Sequence, residues 1–139
     1  MRYWIPPILW TAVILLASSD LFSAAHTGSI LESVIITIFG HPFSREAFDL
    51  LHFLIRKAAH LTEYGILSAL LFRAVRGERR GWVLRWAITA IVIAACVASL
   101  DEWRQTFVPS RTGNPVDVVI DTVGAAIAQL LVRLSGPKR

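Results

Sequence analysis

Four stretches of the chain are apolar over nearly the length that a helix needs to cross a bilayer, about 20 residues. They run from Tyr3 to Ala17, extending through Ser18 and Ser19 towards Phe22, from Lys57 to Val75, from Trp82 to Leu100, and from Val116 to Leu134. Pro6 and Pro7 lie in the first turns of the first stretch, where a missing N–H donor costs least. The pattern predicts an all-α membrane bundle of about four transmembrane helices, formed by residues 1–139 as a single domain.

The segment between the first two stretches is less regular. Residues from Ile30 to Phe39 are apolar but too few to span a bilayer, and Gly40-His41-Pro42 ends them. Ser44 is then a good helix N-cap, with Glu46 in the first turn. Apolar residues follow at helical spacing, at Phe48, Leu51 and Ile55. This pattern predicts a short amphipathic helix at the membrane interface, leading into the second span.

Composition agrees with a membrane protein. The hydrophobic fraction is 55% and the mean hydropathy is +0.57, above the usual apolar share of a globular domain. The net charge of +4 does not indicate nucleic-acid binding, because the basic residues flank apolar segments. The single Cys96 excludes an internal disulfide.

The first stretch has a second interpretation. Arg2, the apolar run and Ser23-Ala24-Ala25 together resemble a secretory signal peptide with its cleavage site. We expect a retained helix instead, because three further spans follow it. In both interpretations the N-terminus starts on the cytoplasmic side.

The basic residues predict the orientation. Nine of the fourteen fall on the face of the N-terminus: Arg2, Arg73, Arg76, Arg79, Arg80, Arg85, Arg133, Lys138 and Arg139. The other face carries Arg45, Arg56, Lys57, Arg104 and Arg111, with every acidic residue except Glu78. Because cytoplasmic loops are enriched in Lys and Arg, both termini are predicted to be cytoplasmic in a multi-pass protein of the cell membrane.

The opposite, outer face gathers an unusual set of ionisable residues. Lys57, His60, Glu63 and Tyr64 share one face of the second span, because they are three or four residues apart. Asp101, Glu102 and Gln105 follow the third span, and Asp117 and Asp121 are one turn apart in the fourth. Charges at this depth are costly, so the side chains should face the bundle and find partners. Together with Arg111 they are the predicted ligand-binding residues, and His60, Glu63, Asp101, Glu102 and Asp121 are also the candidate catalytic groups.

Simpler explanations remain open for several of these residues. Asn114-Pro115 predicts a helix start with Asp117 at the third position, where the helix dipole favours a carboxylate. That explanation does not extend to Asp121, one turn deeper. Asp101 and Glu102 could end the third helix in water, and the Lys57 set could pair on the helix surface. Gly124-x-x-x-Ala128 predicts close helix packing.

The quoted residues resemble the VanZ-like family. The resemblance is carried by Lys57-x-x-His60 in the second span, Asp101-Glu102-x-x-Gln105 after the third, Arg111-x-Gly113 in the next loop, and the helix from Asp117 to Gly124. It covers about Ser18 to Leu131. The family often has asparagine in place of Asp121 and glycine in place of Ala128. Because the family takes its name from a protein linked to low-level teicoplanin resistance, the resemblance implies a cell-envelope role.

Two functions of different classes follow. The first is binding of an amphipathic envelope ligand at the outer face, such as a lipid-linked wall precursor or a lipoglycopeptide, with Lys57, Arg104 and Arg111 facing its anionic groups. The second is a membrane enzyme acting on a lipid or wall precursor through the His, Glu and Asp groups. The expected partners are membrane lipids and such ligands, not nucleic acid, and the sequence does not predict the oligomeric state.

Other roles are less well supported by the residues. One histidine among several carboxylates is a ligand set for a divalent ion, but the chain lacks His-Glu-x-x-His and a second nearby histidine, so no metal site and no cofactor is predicted. Transport by alternating access would require oligomers, since four short spans leave little space. A polar clamp that only joins the outer helix ends is a further alternative.

Overall fold

The computed structural model describes residues 1–19, 24–108 and 113–135. Within these ranges the chain forms five helices: α1 (Ile5–Ala17), α2 (Ala24–Phe39), α3 (Arg45–Arg76), α4 (Leu84–Gln105) and α5 (Pro115–Ser135). The all-α prediction is confirmed. Helices α3, α4 and α5 pack on one another, α1 packs on α3, and α2 has fewer contacts with α3.

The helix starts follow the local sequence signals. The Ser44 hydroxyl accepts a hydrogen bond of 3.3 Å from the Ala47 N–H, as an N-cap should. The Asn114 side-chain oxygen accepts one of 3.0 Å from the Val116 N–H, and Pro115 is the first residue of α5. These two predicted starts are therefore confirmed at the level of individual hydrogen bonds.

The predicted interfacial helix and the predicted second span are one helix. α3 runs without interruption for 32 residues, because the residues between Ser44 and Gly77 include no proline and only Gly65 as a weak helix former. Similarly, Ile30 to Phe39 is the C-terminal part of the longer α2. α4 also continues to Gln105, so the acidic pair that we expected after the third span lies within its last turns.

The prediction of four spans is wrong. Among the described residues, only α4 and α5 are long and apolar enough to cross a membrane, with 22 and 21 residues. α1 has 13 residues, short of the required length. The predicted span from Lys57 to Val75 lies in a longer helix whose His60, Glu63 and Arg73 lower its hydropathy.

Polarity in α5 is reversed relative to a helix of a water-soluble protein. Asp121 and Gln129 are 1% and 3% exposed, whereas Val119 and Leu130 are 61% and 54% exposed. A helix that turns its carboxylate inwards and its valine and leucine outwards fits an apolar surrounding. The two apolar helices therefore fit a membrane protein.

α3 and α5 cross at very short distance. A Cβ added to Gly124 would lie 2.3 Å from the backbone oxygen of Leu61, and one added to Gly65 would lie 3.3 Å from the oxygen of Gly124 and 3.7 Å from Ala128 Cβ. Only glycine permits this approach, as in other close crossings of membrane helices. The predicted close packing at Gly124 and Ala128 is confirmed.

The two ends of the bundle differ in charge. At one end, Arg2 pairs with Glu78 in the α3–α4 loop at 2.8 Å, and Arg79 and Arg133 lie over the rings of Trp86 and Trp82 at 4.8 and 5.1 Å. The opposite end brings together the start of α5, the end of α4 and the N-terminal half of α3. The acidic residues of these helices are concentrated there.

We expect Gly124→Ala to lower the free energy of unfolding by about 1–3 kcal/mol, the usual cost of overpacking. The added methyl group meets backbone, so α3 and α5 must separate. Thermal unfolding of the purified protein in detergent measures the change.

Gly28→Ala is the matched control. Its added Cβ would meet only the rings of His52 and Phe48, at 3.8 and 3.9 Å, which is ordinary contact. Alanine also has the higher helix propensity. Equal stability of the two variants would contradict the close crossing.

Candidate functional site

Two charged contacts join α3 to α5 at the acidic end of the bundle. Lys57 and Asp117 form an ion pair, with side chains 22% and 13% exposed. One turn further along both helices, His60 Nδ1 lies 3.3 Å from Asp121 Oδ1. Both pairs follow from the spacing: Lys57 and His60 are three residues apart on α3, and Asp117 and Asp121 four apart on α5.

The end of α4 contributes a buried polar network. The Gln105 amide donates to Asp101 Oδ2 at 2.9 Å and to Glu102 Oε1 at 3.2 Å. Glu102 Oε2 accepts a bond of 2.7 Å from the Asn114 backbone N–H. Asp101 and Glu102 are 1% and 5% exposed, so they do not simply end the helix in water. Glu102 instead anchors the chain just before α5.

Arg104 has an internal role. Its guanidinium donates to the backbone oxygen of Leu15, near the end of α1, at 2.8 Å, and to Asp101 Oδ1 at 3.1 Å. A cation near the C-terminal end of a helix is favoured by the helix dipole. Arg104 therefore ties α1 to α4, and its charge is already matched by Asp101.

Lys57, His60, Tyr64, Asp101, Glu102, Gln105, Asp117 and Asp121 together form a buried polar cluster. Some buried polar atoms of this cluster have no hydrogen-bond partner among the described residues. They are both carboxylate oxygens of Asp121, the Tyr64 hydroxyl and His60 Nδ1. His60 Nδ1 and Asp121 Oδ1 are nevertheless within ion-pair distance of each other, at 3.3 Å. Buried polar groups are nearly always satisfied, so these atoms identify the part of the cluster where another group is needed.

A cavity of about 210 Å³ opens beside the cluster. It is bounded by the end of α1, the start of α2 and the middle of α3, and its lining residues are Ala17, Ser18, Thr27, Arg56, Ala59, His60 and Glu63. His60 therefore belongs to both places: it faces the cavity and lies against the buried Asp121. Glu63 also accepts, through its backbone oxygen, a 2.9 Å hydrogen bond from the Trp10 indole.

Nearly all the predicted site residues come together at this end of the bundle. Lys57, His60, Tyr64, Asp101, Glu102, Gln105, Asp117 and Asp121 belong to the buried cluster, and Glu63 lines the adjoining cavity. Arg111 lies outside the described residues. The set also supplies a group with the spacing of metal ligands: one atom each from His60, Glu102 and Asp117, all within 4.8 Å of one another.

Two features were missed at the sequence level. Arg56 lines the cavity, although its neighbour Lys57 was the expected ligand-binding cation. Deeper in the bundle, the Gln129 amide donates to the hydroxyl and the backbone oxygen of Ser68 at 2.8 and 2.9 Å. Extending the stripe of Asp117 and Asp121 along α5 by two more turns would have reached Gln129.

Comparison with known proteins identifies the family. The family model described as VanZ/LLP1 matches residues 3–136, essentially the whole chain. Comparisons with curated proteins and with solved structures return no match. The match includes all three helices that build the polar cluster, and the chain belongs to the VanZ/LLP1 family.

Proposed function

We propose that this VanZ-like cell-envelope protein binds an amphipathic or lipid-linked envelope ligand at its outer face, with the ligand's polar head in the cavity between α1, α2 and α3. One observation carries the proposal: a cavity lined by Arg56, His60 and Glu63, with Ala17 and Ala59 beside them, opens between three helices next to the buried polar cluster. Convergent polar groups in a concave, partly apolar site are the usual features of a ligand pocket.

The surroundings of the cavity suit an amphipathic molecule. Leu15 and Leu16 at the end of α1 are 36% and 63% exposed, and Ile55 on α3 is 45% exposed. A ligand with its head group in the cavity would have apolar side chains beside it for an acyl or prenyl chain.

The cations take different roles from those expected. Lys57 is paired with Asp117, and Arg104 with Asp101 and the end of α1. Arg56 is the cation that lines the cavity, so we assign it the contact with a phosphate or carboxylate of the ligand. Lys57 and Arg104 support the site by holding its helices in place.

The outer location follows from the distribution of charge. The arginine-rich end, with Arg73, Arg76, Arg79 and Arg80 around one loop, is assigned to the cytoplasm by the positive-inside rule. The cavity and the cluster then lie at the outer leaflet, where lipid-linked wall precursors and lipoglycopeptides are accessible.

Arg56→Gln should weaken ligand binding about tenfold or more, since a charge-assisted hydrogen bond contributes about 1.5–3 kcal/mol. The measurement is binding of fluorescently labelled teicoplanin, and separately of a polyprenyl pyrophosphate lipid, to the protein in phosphatidylcholine nanodiscs. Empty nanodiscs give the background.

Arg73→Gln removes a similar charge from the same helix at the opposite end of the bundle, so it should leave affinity unchanged. Equal affinity of the Arg56→Gln variant and the wild type for both probes would remove the cavity as the binding site. Binding of one probe alone would identify the ligand class.

A membrane enzyme acting on a lipid or wall precursor is the second candidate. The favouring observation is that His60 faces the cavity while Asp121 lies behind it at 3.3 Å, since a carboxylate that orients a histidine is a common general-base arrangement.

Catalysis predicts that His60→Gln abolishes turnover of the lipid probe, at least a hundredfold, while Arg56→Gln acts mainly on affinity. Mass spectrometry of the lipid after incubation with the wild type checks this. An unchanged lipid would exclude turnover of that probe and leave binding alone.

A further inference from the structure

We propose that His60, Glu102 and Asp117 bind a first-row divalent cation at the junction of α3, α4 and α5. Their ligand atoms lie within 4.8 Å of one another. Two ligands on one ion are at most about 4.4 Å apart, twice a metal–oxygen or metal–nitrogen bond. Small side-chain movements would therefore close the site. Each ligand comes from a different helix, which explains why sequence spacing does not reveal the set.

The donor types specify the class of ion. One imidazole and two carboxylates suit Mn²⁺, Fe²⁺ or Zn²⁺, whereas Mg²⁺ and Ca²⁺ prefer oxygen ligands alone. Three protein ligands leave further coordination positions for water or for a ligand group.

Asp121 occupies the position of a supporting residue. Histidines that ligate a metal almost always donate their other ring N–H to a carboxylate or carbonyl. Asp121 Oδ1 lies 3.3 Å from His60 Nδ1, which leaves Nε2 for the ion. The carboxylate is 1% exposed, and His60 is the only cationic side chain paired with it among the described residues. A cation on His60 Nε2 would fix the proton on Nδ1, where it faces this carboxylate.

The charges of the cluster also favour a cation. Asp101, Glu102, Asp117 and Asp121 are buried or nearly so. Among the described residues, Lys57 pairs with Asp117 and Arg104 with Asp101, and His60 lies beside Asp121. With all four carboxylates ionised and His60 neutral, as a metal ligand must be, two negative charges are uncompensated. Buried charges without partners are strongly unfavourable, and a divalent cation supplies the matching charge at the centre of the group.

The buried Tyr64 hydroxyl gives independent support. Tyr64 is 1% exposed, and its hydroxyl has no described hydrogen-bond partner. Tyr64 follows His60 by one turn of α3 and so shares its face. An unsatisfied buried hydroxyl on the same helix face as a metal ligand is suited to contact a water on the ion.

Lys57 allows a further test, because its ammonium group is paired with Asp117 and would compete with the ion for this carboxylate. Removing this ammonium group should free an oxygen ligand and increase the negative potential at the site. A cation site predicts tighter metal binding in Lys57→Met, whereas a site for an anion predicts the reverse. The inference does not rest on the proposed function, and its test uses metal without any lipid ligand.

The test is titration of the full-length protein with Mn²⁺ in phosphatidylcholine nanodiscs, followed by electron paramagnetic resonance with empty-disc subtraction and by displacement with Zn²⁺. We expect one saturable site per chain in the wild type. His60→Ala and Glu102→Gln should weaken binding at least a hundredfold. Asp49→Asn, which removes an exposed carboxylate from the N-terminal part of the same helix, should keep the site.

Asp121→Asn should keep the stoichiometry and weaken affinity about 10–100-fold, as expected for a residue that orients a ligand. Lys57→Met should bind Mn²⁺ more tightly than the wild type. Metal should also raise the melting temperature of the wild type but not of Glu102→Gln, which separates a lost site from a misfolded variant.

Two results would overturn the proposal. One is the lack of saturable Mn²⁺ or Zn²⁺ binding above empty discs in folded wild type. The other is equal weakening by Asp49→Asn and Glu102→Gln, which would indicate attraction to a diffuse negative charge. Neither result bears on Arg56 and the cavity, whose ligand is measured separately.

Discussion

The close crossing of α3 and α5 is the constraint on which the rest of the structure depends. At Gly124 the two backbones approach so closely that a single methyl group has no room, and at Gly65 an added methyl group would be tightly fitted. This contact fixes the register of one helix against the other. Side chains a turn or two away, at His60 and Asp121, are consequently held face to face without needing long, flexible side chains to reach each other.

The buried cluster is better explained by a function than by stability. A buried ion pair contributes little to the free energy of folding, because desolvation of the charges offsets their attraction. Polar contacts between membrane helices contribute about 0.6 kcal/mol each on average. The cluster is also incompletely satisfied: Asp121 and Tyr64 keep buried polar atoms without hydrogen-bond partners among the described residues. A clamp that only joins the helices would account for the Lys57–Asp117 and His60–Asp121 contacts, but not for the Tyr64 hydroxyl, which is buried without a described hydrogen-bond partner.

Several helix starts and the residues that face each other on α3 and α5 could be predicted from the sequence, because they depend on interactions within one helix. The caps at Ser44 and Asn114, the course of α5 and the facing positions on α3 and α5 all follow from hydrogen-bonding or helical periodicity. The predicted number of spans was wrong, because the first apolar stretch forms a helix of only 13 residues and because His60, Glu63 and Arg73 lower the hydropathy of the second. The internal role of Arg104 was also beyond prediction, since its partner Leu15 lies on α1, 89 residues away.

His60 is the residue through which the cavity and the buried cluster are linked. Its ring forms part of the cavity wall and also lies against Asp121. Binding in the cavity or in the buried cluster would therefore act on the same side chain. An anionic head group in the cavity and a cation among the carboxylates would each stabilise their own position of the ring. Because any two ligands that bias one element influence each other's affinity reciprocally, the two sites are expected to be energetically coupled. Such coupling would give a physical reason for a buried charged cluster directly behind a cavity.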